Sequence, residues 1–199
     1  MVLKKNNKIA GVDEVGRGCL AGPVFAAAVI LNKNLNTKGI VDSKKISFKK
    51  RILLSRYIKK NSTYAIGFAT VSEIDKMNIL NASLLSMERA INKLKYKPSI
   101  VYIDGLFAPK NLKIKHKTFI KGDDRIISIA AASIVAKVAR DVFMIKLSKK
   151  FPKYSWNKNF GYGTAEHLKI IKKYGVTKHH RKKFKPVHNI LMRKTRETL

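Results

Sequence analysis

Residues 9–31 read IAGVDEVGRGCLAGPVFAAAVIL, and how this stretch is read decides the fold. Ile9 to Val12 is apolar, Asp13 and Glu14 follow, and glycines then arrive at Gly16, Gly18 and Gly22. From Pro23 the chain is apolar as far as Leu31. The pattern predicts a strand, a glycine-rich turn and a second, buried strand. Two carboxylates therefore stand where the first strand ends. Burying a carboxylate is costly unless a metal or a donor compensates it. A strand sends alternate side chains to opposite faces, so Asp13 and Glu14 diverge unless the chain turns there. Gly16-Arg17-Gly18 supplies such a turn and lets a ligand approach the backbone. Taken alone, two acids at a strand end read as an exposed turn; the rest of the chain argues otherwise.

Charge is the first reason. The chain carries 43 Lys+Arg against 12 Asp+Glu, a net +31. Such a field draws polyanions, nucleic acid before anionic membrane or ribosomal surfaces. Where acids are so scarce, each one in an apolar or glycine-rich setting needs a reason. With 199 residues the chain can bury a sizeable core, as one domain or one domain with an appendage. A single cysteine, Cys19, excludes an internal disulfide and a multi-thiolate zinc site. No apolar run reaches membrane-spanning length, and MVLKKNNK lacks the apolar core of a signal peptide. A cytoplasmic protein with no membrane contact is the expectation.

Further along, TYAIGFATV at 63–71 and SIVYI at 99–103 read as strands, with a weaker one over 113–120. Helices are expected over 48–60 with Ser47 as N-cap, over 81–94 after a short turn at Ser72, and over 126–147. From Ser148 onward the chain is very basic, punctuated by aromatic residues. The fold class is therefore α/β: a five-stranded mixed sheet flanked by helices, with a helical C-terminal appendage. Residues 1–147 would form the main domain, and residues 148–199 a basic region packed on it that contributes to nucleic-acid binding.

Asp104 closes the fourth strand and is followed by Gly105; Asp13 closes the first. Open α/β sheets present their sites at strand ends, so neighbouring strands would bring these two acids together. Asp123, just ahead of the long helix, could add another oxygen. Crowded carboxylates cannot all stay ionised without cations, and oxygen-only ligands suit Mg²⁺ or Mn²⁺. Two such ions clamp the attacking and leaving oxygens of a phosphoryl displacement. Singly, Asp104 is as readily an Asx turn, and Asp123 and Asp124 read as an exposed turn. Their joint occurrence carries the weight. The spacing of Gly16, Gly18 and Gly22 leads into a strand, which excludes the dinucleotide-binding fingerprint. Amides freed there suit a ribose hydroxyl or a phosphate. His179 and His180, in a basic run, read as solvated or phosphate-facing. Asp141 reads as an ion-pair partner, with the metal site as its alternative, and Lys44, Lys45 and Lys137 as solvated charges with phosphate contact as the alternative.

DEVGRG at 13–18, LAGPV at 20–24, DSKK at 42–45, YIDG at 102–105, KGD at 121–123, SIAAASIVAKVARD at 128–141 and GYGT at 161–164 together resemble the ribonuclease HII family. The ordered set runs from residue 9 to about 187, and its order is far more specific than any one motif. The resemblance implies a ribonuclease-H-like fold and hydrolysis of the RNA strand of RNA–DNA hybrids. It further implies metal-dependent cutting on the 5′ side of ribonucleotides embedded in duplex DNA, leaving a 3′-hydroxyl and a 5′-phosphate. It assigns Asp13, Glu14, Asp104 and Asp123 as metal-binding carboxylates. Gly16, Arg17 and Gly18 match the turn that reads the 2′-hydroxyl. Tyr162 matches the tyrosine that stacks on the deoxyribose beyond the ribonucleotide. Lys44, Ser133 and Lys137 fall in motifs associated with backbone contact. Cys19 departs from the pattern, where many members have proline, with no loss of function expected.

A monomer acting on RNA–DNA hybrid and ribonucleotide-containing duplex is the resulting expectation. One rival is a non-catalytic basic binder of ribosome or nucleoid. It explains the charge but not acids beside a glycine turn, which would repel phosphate. A metal-dependent DNase or integrase on the same fold is the other, distinguished by lacking a 2′-hydroxyl reader.

Overall fold

The computed structural model describes residues 8–41, 43 and 46–197, with side chains as far as Arg193. Of the DSKK segment, Asp42, Lys44 and Lys45 lie outside the described residues.

Strands β1 (Ile9–Val15), β2 (Val24–Leu31), β3 (Ser62–Ala69), β4 (Ile100–Asp104) and β5 (His116–Phe119) form one sheet in the order β3-β2-β1-β4-β5. β1 pairs antiparallel with β2 and parallel with β4, which makes the sheet mixed, as expected. Ala10 and Val12 pack with Ala26, Ala28, Val101 and Ile103 under one helix, α2 (Val71–Asn92). The opposite face carries Ala27 and Val29, covered by α1 (Phe48–Asn61) and the long α4 (Ile127–Lys150). α4 is rich in alanine and lies close on the sheet: a Cβ on Gly11 would collide with the backbone of Ser128. That contact fixes where α4 crosses β1.

The helix starts follow local chemistry. Ser47 accepts from the Lys50 amide at 3.4 Å and starts α1. Thr70, rather than Ser72, starts α2, in a capping box with Glu73. The short turn and the later helix expected from the sequence are joined, with a break at Asn78 (φ 71°, ψ 168°). Asparagine tolerates that backbone, and its Oδ1 accepts from the Asn81 amide at 3.1 Å, re-capping the second part. β5 is shorter than the apolar pattern over 113–120 suggests.

After α4, a 3₁₀ turn (Pro152–Tyr154), two helices α5 (Trp156–Asn159) and α6 (Ala165–Tyr174), and the last helix α7 (Lys185–Glu197) pack around Trp156, Ile171 and Val187. Backbone bonds tie this part to the turn after β1: Leu20 N–H to Gly161 at 2.7 Å, Gly22 N–H to His179 at 2.9 Å, and Arg181 N–H to Leu20 at 2.8 Å.

The expectation that His179 and His180 are solvated needs correcting. His179 is half-buried, edge-on to Phe151, and His180 is fully buried among Tyr154, Trp156 and His167. The aromatic residues of this segment turn inward and enclose the imidazoles; flanking lysines do not decide where a histidine points. His180 Nδ1 accepts from the Thr177 amide at 3.0 Å, and the Trp156 indole donates to His167 at 3.1 Å. Burial and the neighbouring His167 push His180 down to about 3; burial also lowers His167.

Both imidazoles are therefore held neutral in the fold but titrate near 6.5 when unfolded. The unfolded chain then binds more protons, so stability falls as pH drops below 6.5 toward 3. Urea titrations between pH 7.5 and 5 should show a loss of up to about 1.4 kcal/mol per pH unit from His180. The slope should be shallower in His180→Gln; an unchanged slope would mean His180 is not held neutral.

Candidate metal centre and nucleic-acid groove

The parallel register of β1 and β4 assembles the acids. Gly11 pairs with Tyr102 and Val12 with Ile103, so the next step sets Asp13 beside Asp104. Val12 and Ile103 point into the core under α2, which turns Asp13 and Asp104 to the α4 side. The third acid comes from the single turn α3 (Gly122–Arg125), entered through Lys121 at φ 53°. The Gly122 amide donates to Asp104 Oδ1 at 2.7 Å, and a Cβ on Gly122 would crowd Ile129. One carboxylate oxygen each from Asp13, Asp104 and Asp123 lies within 4.8 Å of the others.

Asp13 is 5% exposed. Burial, then the charges of Glu14 and Asp104, push its carboxyl well above the ordinary carboxylate range; a hydrogen bond from Ser133 on α4 opposes this. Ser133 in turn meets Ser43 at 2.9 Å. Glu14 leaves β1 on the other face, but at the strand end it reaches the same groove, 3.4 Å from Arg17. Burial raises its carboxyl too, with Arg17 opposing. An anionic cluster with raised carboxyls has a standing affinity for cations.

The groove is about 430 Å³ and is lined by Asp13, Glu14, Gly16, Arg17, Asp104, Ser133, Lys137 and Tyr162 among others. Asp123 adjoins it through Asp104. Gly18 lies exposed on the turn, with open space where a Cβ would stand. Lys44 lies outside the described residues. Lys137 is not simply solvated: its Nζ bonds Asp141 at 2.8 Å and lies 5.6 Å from the Tyr162 ring centre. Asp141 also faces Arg51 at 3.7 Å, the ion-pair role expected of it. Tyr162 is 38% exposed, with Arg140 beneath its ring and its hydroxyl pushed up to about 12, mainly by burial. Ser43, inside the DSKK segment but not singled out there, and Arg51, which no motif marks, also line the groove. Arg140 and Arg181, both fully buried beneath the turn, escape a reading in which basic residues are solvated by default.

A mixed five-stranded sheet with carboxylates at two adjacent strand ends and a third on a neighbouring helical turn is the arrangement of a ribonuclease-H-like nuclease, a phosphodiester hydrolase. Comparison with known proteins sharpens the class. The family model "Ribonuclease HII" matches residues 10–187. Ribonuclease HII of Pelagibacter ubique is 59% identical over 185 residues, covering 92% of this chain and 98% of that one. Among solved structures, ribonuclease H2 from Pyrococcus horikoshii superposes with a TM-score of 0.77 at 27% identity, over 94% of this chain and 98% of the other. Bst-RNase HIII in complex with Mn²⁺ shares the fold, at a TM-score of 0.75 and 18% identity over 95% of this chain and 70% of that one. The chain belongs to the ribonuclease HII family.

The crowding of acids has a measurable cost without metal. Asp13→Asn removes a buried, repelled charge and should raise stability in EDTA by about 1–2 kcal/mol, read from urea denaturation. A fall of that size would mean that the Asp13 carboxylate is well satisfied by its neighbours.

Proposed function

We propose that this member of the family hydrolyses the RNA strand of RNA–DNA hybrids and cuts on the 5′ side of ribonucleotides embedded in duplex DNA, leaving a 3′-hydroxyl and a 5′-phosphate. The observation that carries this reading is the meeting of Asp13, Asp104 and Asp123 within 4.8 Å of one another, beside a glycine turn and an exposed aromatic ring. Family membership supports the hybrid as substrate.

In this reading Asp13, Glu14, Asp104 and Asp123 hold divalent cations, Mg²⁺ or Mn²⁺. The donor set fits: carboxylate oxygens alone suit hard cations, and a cation relieves the repulsion that raises the Asp13 carboxyl. When bound, such ions supply water activation and charge neutralisation for in-line phosphoryl displacement. The chain's own residues position the substrate. The turn Gly16-Arg17-Gly18 offers backbone amides to a 2′-hydroxyl, which deoxyribose lacks. Tyr162 lays its ring on the apolar face of the next deoxyribose, on the 3′ side of the cut. Lys137, Ser133 and Lys44 contact the backbone. Residues 148–199, packed on a catalytic domain of residues 1–147, extend the basic surface that draws the duplex, and the protein acts as a monomer. No helix among the described residues is long and apolar enough to cross a membrane.

Duplex DNA with and without one embedded ribonucleotide, incubated with Mg²⁺, Mn²⁺ or EDTA, tests the reading. Cutting should require both the ribonucleotide and a metal, and Asp104→Asn should abolish it while leaving duplex binding intact. Equal cutting of plain DNA would favour a DNase instead. Tyr162→Ala should slow cutting at a single ribonucleotide by the ~1–3 kcal/mol that one aromatic stack contributes, whereas Tyr162→Phe should keep most activity. An alanine variant that cuts normally but melts far earlier would make Tyr162 a packing residue.

A further inference from the structure

Two arginines lie under the glycine turn, completely buried and without a carboxylate at ion-pair distance among the described residues. Desolvating a guanidinium in this way is costly, so what it binds matters. Arg140, from α4, donates to the carbonyls of Pro23 at 3.0 Å, Ala21 at 3.0 Å and Phe160 at 2.9 Å. Arg181, from the loop before α7, donates to Gly16 at 2.7 Å, Arg17 at 2.8 Å and Gly22 at 3.0 and 2.9 Å. Its charge survives at neutral pH, since burial lowers it only to about 10.

The peptide plane turns this contact into a statement about recognition. In a trans peptide the C=O of one residue and the N–H of the next point in opposite directions. Fixing the Gly16 carbonyl inward therefore fixes the Arg17 N–H outward, and fixing the Arg17 carbonyl does the same for the Gly18 N–H. Neither amide has a hydrogen-bond acceptor among the described residues, whereas the Cys19 N–H folds back to Gly16 at 3.4 Å. Two consecutive donors are thus presented at the edge of the acid-lined groove.

We propose that Arg181 is the positioning residue of the ribose-reading turn: its forked guanidinium holds two successive carbonyls so that the Arg17 and Gly18 amides face the substrate's 2′-hydroxyl. The proposal rests on the reading of that turn given above. It accounts for a guanidinium at this spot rather than an ammonium. A planar fork spans two carbonyls in fixed relative orientation, while a lysine is a point charge with rotating donors. Because a peptide with no side-chain partner can flip, glycine on both sides of Arg17 would otherwise leave the two amides free to turn away. Arg181 also joins the C-terminal part to the site, since its own N–H donates to Leu20 at 2.8 Å.

The test compares two duplexes, all-deoxy and with one embedded ribonucleotide, by fluorescence anisotropy in EDTA so that nothing is cut. The native protein should prefer the ribonucleotide duplex. Arg181→Lys and Arg181→Gln should bind plain duplex as before and lose roughly five- to tenfold of the preference, the worth of about one hydrogen bond. Mn²⁺ affinity without nucleic acid should be unchanged, a combination that general destabilisation would not produce. A folded variant that keeps the full preference overturns the clamp alone. A native protein with no preference overturns the reading of the turn, and the clamp with it. Should neither variant fold, proton exchange at the Arg181 guanidinium of native protein decides: slow exchange is expected, and exchange at the rate of a solvated arginine would contradict the clamp.

Discussion

The parallel pairing of β1 with β4 is the constraint on which the site depends. Once Val12 sits opposite Ile103, Asp13 and Asp104 must emerge side by side on the α4 face. No choice of loop can separate them without unpairing the strands. The sheet, held by two apolar faces, thereby forces like charges together at its edge, and the Asp13 carboxyl is driven upward as a consequence. Core packing pays for an electrostatic conflict that only a cation, a proton or an opposing donor can relieve.

The second organising feature is positive charge in the interior. Arg140 and Arg181 are both fully buried, and together their guanidiniums hold the carbonyls of Gly16, Arg17, Ala21, Gly22 and Pro23 from below. The acids lie at the strand ends and the cations beneath the turn between them. The groove is left with carboxylates on one wall, exposed backbone amides on another, and Tyr162 over Arg140 at its rim. The surplus of lysines acts at longer range, drawing a polyanion to a patch whose chemistry is locally acidic.

Much of this was legible in the sequence because local signals agreed. The apolar runs of β1 and β2 flank a glycine turn, Ser47 caps α1, and Asp104 ends a strand where site residues in open sheets gather. Three features were not legible, each because a tertiary contact overrides a local rule. His180 sits in a basic run yet is enclosed by aromatic residues brought in from Tyr154, Trp156 and His167. Arg181 neighbours two lysines and a histidine pair, and nothing in that string marks one cation as buried. The break at Asn78 lies inside α2 because an asparagine side chain can cap a helix that has only just begun.

Sheet register brings together carboxylates that resist being ionised together, a donor set suited to a cation. Calorimetric titration of the protein with Mn²⁺ at several pH values between 5 and 7.5, in two buffers of different ionisation enthalpy, is the decisive measurement. Saturable binding that releases protons from the raised carboxyls is expected, with Asp104→Asn losing both the binding and the release. Binding of equal strength in that variant, or binding that releases no protons, would contradict such a site.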